Sequence, residues 1–103
     1  MNNSEIIRRV KEAALQVDPS AEVILYGSRA RGDARKDSDW DILILTSFPV
    51  NIVNEEAIRE KLYDIELETG ESLSTFIYSK KEWQTKQKFT PFYENVGEEG
   101  ISL

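Results

Sequence analysis

Two aspartates one residue apart, Asp39 and Asp41, open an apolar run, and a Gly27-Ser28 pair closes the apolar run before it. On a strand, side chains alternate faces, so these two carboxylates share a face roughly 7 Å apart at ~3.3 Å per residue. Acids at that spacing repel unless a cation lies between them. Mg²⁺ is the natural occupant, because it takes hard oxygen ligands and completes its shell with waters or phosphate oxygens. On the other side, Gly27 permits close backbone approach or a positive φ. The "SRARG" that follows can open a helical turn whose free N–H groups meet an anion. Ser28 adds a hydroxyl donor, and Arg29 or Arg31 a charge-assisted contact to phosphate. Phosphate donors on one wall and metal-binding carboxylates on the other describe a nucleoside-triphosphate site.

Taken singly, these pieces have plainer uses. Ser38 and Asp37 make a turn, Asp39 caps or pairs with Arg31 or Arg35, and Gly-Ser turns are common. Three rival phosphate or metal motifs fail. A Walker A loop needs Lys and Ser/Thr after its second glycine, but Asp33-Ala34 follows Gly32. An EF-hand starting at Asp37 would need Gly and Glu where the chain has Ile42 and Phe48. A dinucleotide fingerprint needs three spaced glycines, and only Gly27 and Gly32 are present.

Composition narrows the chemistry further. The chain has 103 residues, the size of one domain spanning 1–103, with no cysteine and no histidine. Thiolate metal sites, disulfides and the commonest general base are therefore excluded. Catalysis must run on carboxylates, hydroxyls, cationic side chains or a hard oxygen-bound metal. A net charge of −6 argues against gripping duplex nucleic acid. Arg29, Arg31, Arg35 and Lys36 nevertheless crowd one loop, which suits a few phosphates. Lys80, Lys81, Lys86 and Lys88 crowd another, where solvated charge is the simpler reading. No apolar run approaches the ~20 residues of a membrane span, and the polar start has no signal-peptide core, so the expected compartment is the cytoplasm.

The elements that must position the site can be read from periodicity. Ile6, Val10, Ala13, Ala14 and Val17 have helical spacing over 3–17, with Asn2 or Ser4 as cap and Asp18-Pro19 as stop. "EVILY" (22–26) and "WDILILT" (40–46) read as strands. Asn54 can cap a helix to about Glu68 whose stripe is Ile58, Leu62 and Ile65, ended by Gly70. "SLSTFIYS" (72–79) is a third strand. Ser79-Lys80-Lys81-Glu82 is a capping box for a helix through about Lys88. Pro91 starts a last helical turn ending near Gly97, and "ISL" is an edge-strand candidate. The order is α-β-(short helix)-β-α-β-α, an α/β (α+β) domain of two layers. The short 27–39 connection makes strands one and two antiparallel, and the intervening helix allows strands two and three to be parallel. The expected sheet is small and mixed, in order 1-2-3, with helices on one face.

The stretch "GSRARGDARKDSDWDILIL" resembles the signature of the polymerase-β-type nucleotidyltransferase superfamily: Gly-Ser, an arginine-rich loop, then Ser-Asp-x-Asp entering an apolar strand. Its short length makes the chain most similar to the minimal nucleotidyltransferases (MNT) of HEPN/MNT toxin–antitoxin pairs. The resemblance implies that Gly27 and Ser28 hold the triphosphate of ATP or another NTP, helped by Arg29 or Arg31. It implies that Asp39 and Asp41 ligate Mg²⁺, aligning the α-phosphorus for attack by a hydroxyl of a partner protein. Such members pass a nucleoside monophosphate, often AMP, to a HEPN-type toxin. A second copy of the chain is a further candidate partner.

One position departs from the pattern. The family places a third carboxylate near the start of the next strand, where this chain has Ser74. Glu71 is the nearest acid, one odd step away, so the pleat should aim it elsewhere. The alternative expectation is therefore a catalytically degenerate protein that neutralises a toxin by docking. Trp83, Phe89, Phe92 and Tyr93 are candidates for that contact, with core packing expected for at least half of them.

Overall fold

The apolar periodicities resolve, in a computed structural model describing residues 3–103, into five helices and four strands. They are α1 (Asn3–Val17), β1 (Glu22–Tyr26), α2 (Ser28–Arg31), β2 (Trp40–Thr46), α3 (Ile52–Thr69), β3 (Leu73–Ser79), α4 (Lys80–Thr85), α5 (Pro91–Glu99) and β4 (Ile101–Ser102). Among the described residues no helix is long and apolar enough to cross a membrane.

The sheet runs β3-β2-β1-β4, so the expected order 1-2-3 holds and the "ISL" segment adds a fourth strand at the β1 edge. β1 is antiparallel to β2 and to β4, and β2 is parallel to β3. Tyr26 stands opposite Asp41, and Asp41 opposite Ser74. This register puts the front end of β2 between the end of β1 and the start of β3.

Alternation along β2 sorts the core into two halves. Trp40, Ile42 and Ile44 face α1 and α3, packing with Ile6, Val10, Ala13, Ala14, Ile58, Leu62 and Ile65. Arg9 and Glu68, 2.7 Å apart, tie the two helices at the rim. Leu43 and Leu45 face the other way and pack with Trp83 and Val96. The long helices lie on one face, but short α4 and α5 cover part of the other, so the expectation of helices on one face is corrected: Leu43 and Leu45 point away from α1 and α3 and need cover of their own. Each fully buried aliphatic side chain contributes about 2 kcal/mol. Trp83, Phe92 and Tyr93 are spent on this second cluster, with Trp83 4.9 Å from Tyr93 and 5.4 Å from Phe92. Phe89 alone of that quartet stands in solvent.

Several boundaries moved for local reasons. Asn2 lies outside the described residues, and Ser4 sits inside α1 and does not cap it. Asn51, three residues earlier than Asn54, caps α3, its side chain accepting the Asn54 N–H at 2.9 Å. Ser79 caps α4 as expected, accepting the Glu82 N–H at 3.0 Å, but the helix ends at Thr85. Thr90 caps α5, which runs through Gly97 to Glu99.

One buried acid braces the frame away from the aspartate pair. Asp18, 3% exposed, accepts Ser20 N–H and Ser47 Oγ–H on one oxygen and Ser47 N–H on the other, at 3.0, 2.8 and 2.7 Å. It ties the α1–β1 turn to the end of β2. Burial pushes its pKa up, but these donors outweigh that and hold it below 3.8. A depressed native pKa contributes stability above the unfolded value that is lost as pH falls through the folded one. Asp18→Ala is expected to cost about 2–4 kcal/mol at neutral pH. In urea denaturation the gap between wild type and variant should narrow in acid.

Candidate functional site: a glycine turn facing two aspartates

At the end of β1 the chain reaches Gly27 with φ 76° and ψ −159°, a region that side-chain-bearing residues avoid. The position also excludes a side chain by contact, because a β-carbon there would overlap the Asp41 carboxylate. The Gly27 carbonyl accepts the Ala30 and Arg31 N–H groups at 3.1 and 3.0 Å, closing α2. Gly32, in the left-handed region with φ 85°, turns the chain out of it. The Gly-Ser turn and the aspartate end of β2 therefore meet across one crevice at the rim of the sheet.

Asp39 is exposed and makes no ion pair among the described residues. The pairing with Arg31 or Arg35 considered from the sequence does not form; Arg31 goes instead to Asp33 and Glu99. Asp41 is half-buried, and its pKa is raised, first by burial and then by the charges of Asp39 and Glu99, with Arg31 opposing. Two acids crowded with only partial compensation from Arg31, itself paired with Asp33 and Glu99, are a fit for a divalent metal that takes one or two carboxylates and fills its shell with phosphate oxygens. Among the described residues no group of three or more acids gathers closely enough to hold a metal alone.

Ser28 is half-buried, and its hydroxyl has no hydrogen-bond partner among the described residues. Arg29 and Arg31 part company. Arg29 folds back over the other face of β2, its guanidinium carbon 4.4 Å from the Trp40 ring centroid. It donates to the Ser38 carbonyl at 2.8 Å and the Lys36 carbonyl at 3.3 Å, and lies 3.7 Å from Glu71. That side chain organises the 33–39 loop and does not face the aspartates. Arg31 is exposed at the crevice, 2.9 Å from Glu99.

On β3, Ser74 stands beside Asp41. Glu71 accepts the Trp40 indole N–H at 3.2 Å on the opposite face, as the pleat required. Two residues at the crevice escaped the sequence reading. Tyr26 pairs with Asp41 across the strands, and burial, with Asp41, Tyr78 and Glu99 nearby, pushes its phenol up to about 12. Its place could have been read from the strand register. Glu99, at the end of α5, accepts the Gly27 N–H at 2.9 Å and the Arg31 guanidinium at 2.9 Å. Those donors hold its pKa below 4.5, the Arg31 contact first. No local pattern announces it.

Comparison with known proteins bears on this geometry. Residues 5–95 match the family described as nucleotidyltransferase domain. A relative from Methanocaldococcus jannaschii named "Putative protein adenylyltransferase MJ0141" is 33% identical over 97 residues, covering 92% of this chain and 95% of its own. The "Probable protein adenylyltransferase MntA" of Haemophilus influenzae is 31% identical over 64 residues, covering 62% of this chain and 56% of its own. The fold matches a crystal structure of a toxin–antitoxin with AMP-PNP at TM-score 0.66 and 16% identity, over 98% of this chain and 72% of that one. A mutant of the MntA-HpeT toxin–antitoxin matches at TM-score 0.63 and 14% identity, over 99% and 72%.

Two outcomes are expected. Gly27→Ala should destabilise the fold by at least about 2 kcal/mol, through backbone strain and displacement of Asp41, read as a lowered urea midpoint. Binding of a divalent cation needs Asp41 ionised, and its raised pKa means that affinity should fall on acidification before an ordinary aspartate (3.8) would titrate. Metal titration calorimetry across about pH 4 to 7 measures this. Without metal the sign reverses for stability: the fold loses stability as pH rises through the native pKa of Asp41, and Asp41→Asn removes that loss.

Proposed function

The chain belongs to the nucleotidyltransferase domain family, in its minimal MNT-type branch, and on that premise we propose that it transfers AMP from Mg²⁺·ATP to a hydroxyl of a partner protein. The partner is a toxin of HEPN type, which the chain neutralises by modifying it. The observation that carries this reading is the close approach of Gly27 to the Asp41 carboxylate, near enough that a β-carbon at Gly27 would overlap it, which sets the candidate phosphate turn against the candidate metal pair. The relatives named as protein adenylyltransferases support a protein as acceptor, and the AMP-PNP in one structural neighbour supports a nucleoside triphosphate as donor.

In this reading each residue has a physical task. Gly27 and Ser28 present N–H and O–H donors to the triphosphate, and exposed Arg31 adds positive charge. Asp39 and Asp41 hold Mg²⁺, which when bound neutralises phosphate oxygens and favours pyrophosphate departure. Tyr26, kept protonated, offers a neutral surface beside Asp41 that adds no further charge to the crevice. Arg29 fixes the loop that carries Asp39, a positioning task and not a phosphate contact.

A second reading rests on Ser74. Its neutral hydroxyl beside Asp41 brings no negative charge to a second metal and is too weak a base to take the acceptor's proton as a carboxylate would, so a protein that binds nucleotide and partner without transfer also fits. One experiment separates them. ATP labelled at the α-phosphate is incubated with Mg²⁺, this protein and the product of the adjacent gene. Label on the partner, reduced roughly 100-fold or more by Asp41→Asn, supports transfer. An unlabelled but stable complex that survives the same substitution supports docking alone.

A further inference from the structure

The Glu99 carboxylate occupies two donors that the proposed reading gives to phosphate. One oxygen accepts the Gly27 N–H and the other the Arg31 guanidinium, each at 2.9 Å. The contact joins residues 72 and 68 positions apart, so the fold builds it and no local turn forces it. The arm that carries it is well held. Glu99 ends α5, whose Val96 sits in the second core cluster. Gly100 follows, its N–H bonded to the Val96 carbonyl at 2.7 Å, and the next residues pair with β1. A β-carbon at Gly100 would press on that carbonyl and on Ile24, so the backbone there is closely packed. The side chain itself is only half-buried and can swing out without moving the helix.

We propose that Glu99 is an affinity-determining residue of the nucleotide site, an internal anion that a phosphate group of the incoming nucleotide must displace from Gly27 and Arg31. This inference rests on the nucleotide reading of the crevice. A carboxylate held by two N–H donors presents two oxygens much as a phosphate does, and both cannot use the same donors. Its negative charge next to the triphosphate adds repulsion. Glu99 therefore lowers affinity for polyphosphates while keeping the turn and Arg31 in place when the crevice holds no nucleotide. It does not complete the aspartate pair as a third metal ligand, since no cluster of three acids forms among the described residues.

The test is equilibrium binding of Mg²⁺·AMP-PNP and Mg²⁺·tripolyphosphate to the full chain, for wild type, Glu99→Ala and Glu99→Gln, with circular dichroism as the fold control. Glu99→Ala is expected to tighten both ligands by about tenfold, with Glu99→Gln intermediate because it keeps an acceptor but loses the charge. In wild type the Gly27 amide resonance should move on adding tripolyphosphate. Unchanged or weaker binding by both folded variants, while wild type binds, overturns the inference and leaves the nucleotide reading standing. If neither wild type nor variant binds either ligand, the nucleotide reading itself fails and the inference falls with it. Should Glu99→Ala not fold, Glu99→Gln decides the matter alone.

Discussion

The site depends on how close two strands can bring a backbone to a carboxylate. Only a residue without a β-carbon can stand where Gly27 stands, and only a positive φ sends the chain from β1 into α2 at that point. The antiparallel pairing of β1 with β2 brings Tyr26 opposite Asp41, and the glycine one step beyond then closes on the acid. Everything chemical in the crevice follows from this approach: amide donors and acidic acceptors share a space that neither strand could form alone. The two core clusters serve chiefly to hold those strands in register.

Electrostatics gives the crevice its character. Asp39, Asp41 and Glu99 bring negative charge to one rim, and Arg31 answers only part of it. That excess of negative charge is what the divalent cation of the proposed function would neutralise. The internal ion pair of Arg31 with Glu99 is exposed enough that its worth lies in where it holds the groups. Arg29 is the opposite case: nearly buried, stacked on Trp40 and bonded to two carbonyls, it makes a charged loop behave as a fixed one.

The parts that could be read from the chain are those decided locally. Asp41 is set by the pleat on the face of Leu43 and Leu45, while Asp39 sits just before β2 and close enough for its charge to raise the Asp41 pKa; the length of the α3 connection is enough to set β3 parallel with Ser74 beside Asp41. Asn51 and Asn54 are both competent caps, so propensity could not choose between them; the structure uses Asn51, whose side chain accepts the Asn54 N–H. Arg29 reads as a phosphate ligand because its loop is basic, but the indole of Trp40, eleven residues later, offers a face that pays better than solvent. Glu99 was illegible for a stronger reason. Its place is settled by where the Trp83, Phe92 and Tyr93 cluster lays α5 across the sheet, and no periodicity encodes that.

The two tryptophans occupy unlike surroundings. Trp83 is enclosed among the rings of Tyr78, Phe92 and Tyr93 on the face of β2 opposite Trp40. Trp40 lies between the two aspartates in sequence, with its ring under a guanidinium and its indole N–H on Glu71. The molecule thus contains its own optical gauge: any rearrangement of the 33–39 loop that moves Arg29 changes the charge above the Trp40 ring, and so its emission.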